Sequence, residues 1–269
     1  MFGWTKKSLL QFHPDKCFQM SIRPKSKPQC SHIYQMNGEK LQYTSLHEDL
    51  GIVIDEHLTF SHHISQKVNK ANQIMGLIRR TITYLDEYNF KLLFVSLVRP
   101  HTEYGNSIWL PLLKRDIKLI ENIQKRATKY IPSLKHLEYQ ERLKKVNLPT
   151  LQYRRFRGDM IETYKILHDI YDNDCTSGLF ELKWTNTRGH KYALKIRKSN
   201  SNLRKHFFTF RIAAVWNSLP CNVVEAKNLN VFKNELDRFC STRGLMFNPE
   251  IDFLDTYFIS TVLKSQTQI

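Results

Sequence analysis

DLGIVIDEHLTFSHHISQKVNKANQIMGLIRR, residues Asp49 to Arg80, changes its apolar period half-way along. In the first half Leu50, Ile52 and Ile54 alternate with Gly51, Val53 and Asp55, the period-two pattern of a strand with one covered face. A slip of one residue would turn that apolar set outward, so the pattern predicts a strand packed on something beneath it. In the second half Ser61 is placed to cap a helix. Ile64, Val68, Ala71, Met75 and Ile78 then recur as one apolar stripe. Lys67, Lys70, Arg79 and Arg80 lie mostly off that stripe, and no acid falls between Ser61 and Arg80. The expectation is a buried strand that delivers the chain directly into a basic helix.

This segment resembles the end of the palm and the start of the thumb in reverse transcriptases of non-LTR retrotransposons (LINE-type, jockey/CR1-like). Further motifs fall in the same order: FHPDKC from Phe12, VRPHTEYGNSIW from Val98, IENIQKRATK from Ile120 and LPTLQYRRFRGDMIETYKIL from Leu148. TRGH from Thr187, WNSLP from Trp216 and a helix around Phe232 complete the set, so the resemblance spans most of the chain. It implies that the LGIVID strand belongs to a primer-grip hairpin and that the following helix opens a thumb tracking the template–primer. It also makes Lys16 the counterpart of the motif D lysine, a proposed proton donor to departing pyrophosphate. On the residues alone, Lys16 reads as a solvated strand-end lysine.

Charge narrows the partner independently. The 269 residues carry a net charge of +16, with a pI near 9.6, which favours polyanions: RNA and/or DNA first, an anionic membrane surface second. Five scattered cysteines without a CxxC, and no presequence after Met1, fit a reducing intracellular compartment, cytoplasmic and/or nuclear. The apolar tract from Ile251 to Leu263 holds Asp252 and Asp255 and is too short to span a bilayer, so no membrane partner is expected.

The predicted fold is mainly α, with a small antiparallel sheet at the N-terminus. Residues 1–60 read as a palm remnant: a helix end at Trp4, Leu9 and Leu10, a turn at His13-Pro14-Asp15, a basic loop from Ile22 to Gln29, and a hairpin at Asn37-Gly38. His13, Cys17, Cys30 and His32 are zinc-competent, but their spacing is irregular, so packed cysteines are preferred and no metal is assigned. Residues 61–131 read as the helical thumb. A helix from Asp86 to Val98 points Phe90, Leu93, Phe94 and Leu97 inward, with Pro100 beyond its end. Asp116 to Ile131 follows, carrying Lys118, Lys125, Arg126 and Lys129 against two acids, Asp116 and Glu121.

Residues 132–244 read as a mostly helical, basic C-terminal domain. In the helix from Leu151 to Tyr171, Arg154, Arg155 and Arg157 oppose the dipole at its start, so a phosphate or a neighbouring glutamate would relieve them. Between Glu181 and Glu225 there is no acid, and Arg188, Lys191, Arg197, Lys198, Arg204 and Lys205 interleave with aromatics. That pattern suits single strands or RNA loops, although Phe207, Phe208, Phe210 and Trp216 read better as core. Asn230 is placed to cap the last helix, and residues 245–269 form an unassigned tail.

Nucleotidyl transfer by this class needs paired carboxylates on two metal ions, and no Asp-Asp occurs here. The expectation is therefore the C-terminal part of a LINE-type polyprotein that binds template–primer or element RNA. Mg2+ and the palm, fingers and endonuclease regions would belong to the full-length polymerase. A stand-alone transposon-derived binding protein and a decayed reading frame remain the alternatives.

Overall fold

The computed structural model describes Lys7, Ser8 and residues 12–36, 38–183 and 190–253. The predicted helix end at Trp4, Leu9 and Leu10 lies outside these residues, as do Asn37, Arg188 and the tail beyond residue 253. The chain divides into two compact units, Met1–His63 and Ile64–Ile269.

The first unit holds three two-stranded ladders. β1 (Phe18–Gln19) pairs in parallel with β4 (Gln42–Tyr43). β2 (Gln35–Met36) and β3 (Glu39–Lys40) form the expected antiparallel hairpin, with Gly38 at φ +86° in its turn. β5 (Leu46–Asp49) pairs antiparallel with β6 (Ile52–Asp55), and here the predicted alternation is overturned. The register pairs Asp49 with Ile52, which leaves Leu50 and Gly51 as a two-residue turn, both at positive φ. Leu50 is 83% exposed, while Ile52 and Val53 are both buried. The turn, not the pleat, sets which side chains face in.

Asp55 organises the exit from β6. Its carboxylate accepts from the backbone N–H groups of His57, Thr59 and Phe60 at 2.7–3.1 Å, and from the Thr59 hydroxyl. Val53 N–H donates to His63 Nδ1 at 3.2 Å. Among the described residues no three His, Cys, Asp or Glu side chains converge, and His13, Cys17, Cys30 and His32 form no such cluster.

Helix α1 (Ser61–Thr81) buries Ile64, Val68, Ala71, Met75 and Ile78, the stripe its spacing predicts. α2 (Glu87–Leu93) is capped by Asp86, which accepts from Asn89 N–H at 2.7 Å. Pro100 does not stop the helical path. A π turn over Phe94–Val98 leads into α3 (Arg99–Glu103), with Pro100 in the first turn of α3. The wider turn also shifts the buried face, so Val98 is inward and Leu97 is exposed, contrary to the predicted face.

α4 (Lys114–Ala127) buries Ile120, Ile123 and Ala127, and α5 (Tyr139–Val146) ends at Asn147 in the left-handed region. α6 (Leu151–Leu167) is capped by Thr150, which accepts from Tyr153 N–H. Two short helices follow, α7 (Asn173–Thr176) and α8 (Asn202–Lys205). α9 (Phe208–Trp216), α10 (Cys221–Val224) and α11 (Leu229–Thr242) complete the set.

Tyr164 stacks on Phe232, with Trp216 tilted against the same ring, at the centre of a core built by α6, α9 and α11. Of the four aromatics expected in the core, Trp216 is buried and Phe208 and Phe210 are partly so, but Phe207 at the start of α9 is exposed. Asn228, not Asn230, caps α11: its side chain accepts from the N–H groups of Asn230 and Val231 at 3.0 Å. The tail docks as far as it is described, with Leu245 and Phe253 buried in the same core. No described helix is long and apolar enough to cross a membrane.

Candidate nucleic-acid interface

The cations of α1 and α4 sort by helix phase. A groove of about 510 Å3 runs between the two helices, edged by Asn69 and Asn72 on one side and by Asn122, Lys125, Arg126 and Lys129 on the other. Arg126 bridges it, donating from Nη2 to Asn72 Oδ1 at 2.6 Å. Arg79 and Arg80 lie seven and eight residues beyond Asn72, two turns along the same face, and Lys118 stands seven residues before Lys125. The Arg79 guanidinium sits 5.2 Å from the centre of the Tyr130 ring. Lys67 and Lys70 are placed apart from this row, beside His101 of α3. Burial first, and then the charges of Lys70 and Lys67, hold that imidazole below its ordinary pKa.

Among the described residues no acid answers these cations. α1 has none, and the two acids of α4, Asp116 and Glu121, are both buried. Glu121 turns inward to accept from the Tyr139 hydroxyl at 2.6 Å and from the backbone N–H groups of Leu151 and Gln152, at the start of α6. Burial pushes its carboxyl above the usual range. Among the described residues, Lys67, Lys70, Arg79, Arg80, Lys118, Lys125, Arg126 and Lys129 make no ion pair. Four of them, Arg79, Arg80, Lys125 and Arg126, stand in the last turns of their helices, where they also offset the dipoles.

The buried Arg142 reinforces that end of α4. It donates from Nη2 to Lys125 O at 3.1 Å and from Nε to Thr128 Oγ1 at 3.0 Å. The result is a groove with a one-signed rim and exposed amides. Such a surface can hold phosphates by charge and by hydrogen bonds.

Two arginines of α6 are paired with acids within the fold. Arg154 forms a two-bond fork with Glu103 at 2.8 and 2.9 Å, and Arg157 forms another with Asp237 at 2.6 and 2.8 Å. Arg155 is buried, and that burial holds its guanidinium below its ordinary pKa although Glu121, Glu103 and Asp159 lie near enough to favour its charge. Arg211 of α9 pairs with buried Asp159 at 3.0–3.2 Å and also donates to the carbonyl of Ser107. Burial pushes the Asp159 carboxyl up to about 6 despite that partner. The neighbouring-acid alternative for the dipole at the start of α6 is therefore the one realised for Arg154.

Pattern reading along the chain found these arginines but not their partners, which lie 51 and 80 residues away. Glu103 meets Arg154, and Asn106 Nδ2 donates to Arg155 O at 3.3 Å, passing so close to Gly158 that a Cβ there would collide with it.

The C-terminal patch is divided. Arg197 and Lys195 both pair with Glu181, at 3.0 and 3.1 Å, and hold its carboxyl below the usual range. Lys191 rests 5.1 Å from the Tyr192 ring and Arg204 5.1 Å from the Phe210 ring, while Lys198 and Lys205 are exposed. His190 of TRGH is buried edge-on to Trp216, a packing position. Lys16, in the 3-10 turn Pro14–Lys16, is exposed.

Over 132 residues, 48% of the chain, the sequence is 25% identical to the "Probable RNA-directed DNA polymerase from transposon BS" of Drosophila melanogaster. The chain is related to a transposon reverse transcriptase. The matching stretch spans 15% of that relative's length. No protein-family model and no solved structure gives a significant match. Within this relationship, the motifs that carried the resemblance divide into two physical classes. EYGN and RRFRGDM hold each other in the fold, whereas IENIQKRATK presents its cations outward.

Proposed function

We propose that this chain is the template–primer-gripping part of a LINE-type RNA-directed DNA polymerase, with α1 to α4 acting as its thumb. The observation that carries this reading is the row of unpaired cations along the α1–α4 groove, on helices whose only acids are buried. Phosphates of a bound nucleic acid lie along Arg79, Arg80, Lys118, Lys125, Arg126 and Lys129. Lys67 and Lys70 form a second contact beside α3, and Lys198 and Lys205 of the C-terminal patch form a third. The role assigned to this chain is binding.

Fluorescence anisotropy with labelled duplexes tests this reading across a salt series. With about four to six phosphates neutralised, the log–log slope on duplex DNA is about −4 to −5. Lys125→Gln with Arg126→Gln makes that slope shallower by about 2 and weakens every sequence alike. A response flat in salt overturns the proposal, and an unchanged slope in the double variant removes the groove from it.

A further inference from the structure

Two tyrosines near the basic groove are left without a structural task. Tyr84 follows α1 and Tyr88 is the second residue of α2; they are 74% and 75% exposed. They flank a groove of about 390 Å3 whose opposite side is Pro132 and Ser133, just past the end of α4. Each chain segment that borders the basic groove therefore goes on to border this one, and the Arg79–Tyr130 contact falls between the two grooves in both segments. An aromatic ring this exposed gains little from burial, and a pair of them four residues apart beside a row of cations suits a ligand with flat faces and a charged backbone.

The acids of the tyrosine groove sharpen the choice. Asp86 is held as the cap of α2 by Asn89 N–H, and Glu87 Oε1 accepts from Ser133 Oγ at 3.4 Å. Fixed carboxylates repel phosphate but accept N–H groups from the edges of bases. Phosphates therefore suit the Arg79, Arg80 and Lys129 end, and bases suit the tyrosine end. We infer that the Tyr84–Tyr88 groove stacks the unpaired bases of a single-stranded extension whose phosphates follow the cations at the ends of α1 and α4. This rests on the nucleic-acid role proposed above and adds a specific substrate form to it.

Anisotropy with three probes tests it: a labelled single-stranded RNA of about 12 nucleotides, the DNA of the same sequence, and a blunt RNA–DNA duplex. Replacing Tyr84→Ala and Tyr88→Ala together weakens single-strand binding about tenfold or more for each stack lost and leaves duplex binding unchanged. Tyr84→Phe with Tyr88→Phe keeps the rings and the affinity. Both side chains are exposed, so the variants should melt like the parent, which circular dichroism checks. Single-strand binding unchanged in the alanine pair overturns the inference, as does an equal loss on the duplex. If the parent binds neither single strand nor duplex, the proposed function itself fails. If it binds both and the alanine pair makes no difference, only the stacking groove falls.

Discussion

The cations of α1 and α4 and those of α6 and α9 look alike in sequence but end in opposite electrostatic circumstances. Both sets fall on helices within a chain of net charge +16. Arg154 and Arg157 meet acids from distant segments in bidentate forks, and Arg211 meets Asp159 where both are almost fully buried. Among the described residues Arg79, Arg80, Lys125, Arg126 and Lys129 meet none, because α1 has no acid and those of α4 turn inward to serve the fold. Basic composition alone therefore does not locate an interface. What locates it is where the acids point.

The largest effect that sharpens this contrast is on stability. Arg211→Leu leaves Asp159 buried without its partner and costs about 3–5 kcal/mol, read as a drop in the urea midpoint. A second change, Asp159→Leu, recovers much of that loss by removing the stranded charge. If Arg211→Leu is as stable as the parent, the pair is not the buried device described here. Next in size, Arg154→Leu and Arg157→Leu each cost about 1–2 kcal/mol, since each leaves a half-buried carboxylate without its fork. Neither changes the salt slope of nucleic-acid binding. Lys125→Gln with Arg126→Gln does the reverse, shifting the slope while the urea midpoint stays within about 0.5 kcal/mol of the parent. Swapped outcomes would erase the distinction between the two sets.

A smaller effect comes from pH. Burial holds His101, His168, His190 and His206 below their ordinary pKa. The folded chain thus binds fewer protons than the unfolded one below the unfolded histidine value of about 6.5. Stability is present above that value and declines as the pH falls below it, while the raised carboxyl of Asp159 works in the opposite direction between about 6 and its unfolded value. Melting curves from pH 7.5 to 5.5 should fall, and less steeply in His190→Gln. His101 also reports on the outer lysines. A polyanion held at Lys67 and Lys70 screens their charges and raises the His101 pKa, visible in an NMR titration; no change on binding would place those lysines outside the interface.

Much of this was legible in the chain because the signals are local. The stripe from Ile64 to Ile78 fixes the buried face of α1, Asp86 marks the start of its successor, and the spacing of α4 puts its cations outward. The mainly α architecture with a small N-terminal sheet follows from the same patterns. The errors have local physical causes as well. Leu50 reads as a strand residue until the two-residue turn takes it, Leu97 as core until the π turn shifts the phase, and Asn230 as a cap although the helix already starts at Leu229, where Asn228 accepts from the N–H groups of Asn230 and Val231. What stayed hidden is pairing across long separations, such as Tyr153 and Arg157 converging on Asp237. Periodicity reports which face is apolar and carries no information on which acid waits across the contact.

The finest test lies between the two extremes, at Glu181. It alone answers two cations of the C-terminal patch, Arg197 and Lys195, and all three groups are at least a third exposed. Exposed pairs of this kind are worth at most about 1 kcal/mol, so Glu181→Gln should barely alter stability. It does free two positive charges beside Lys198, on a stretch whose remaining acids begin only at Glu225. If the patch touches nucleic acid, the variant binds RNA a few-fold tighter, with a salt slope steeper by as much as about 2. If it does not, affinity and slope stay at the parent values, and the α1–α4 groove accounts for the electrostatics of binding by itself.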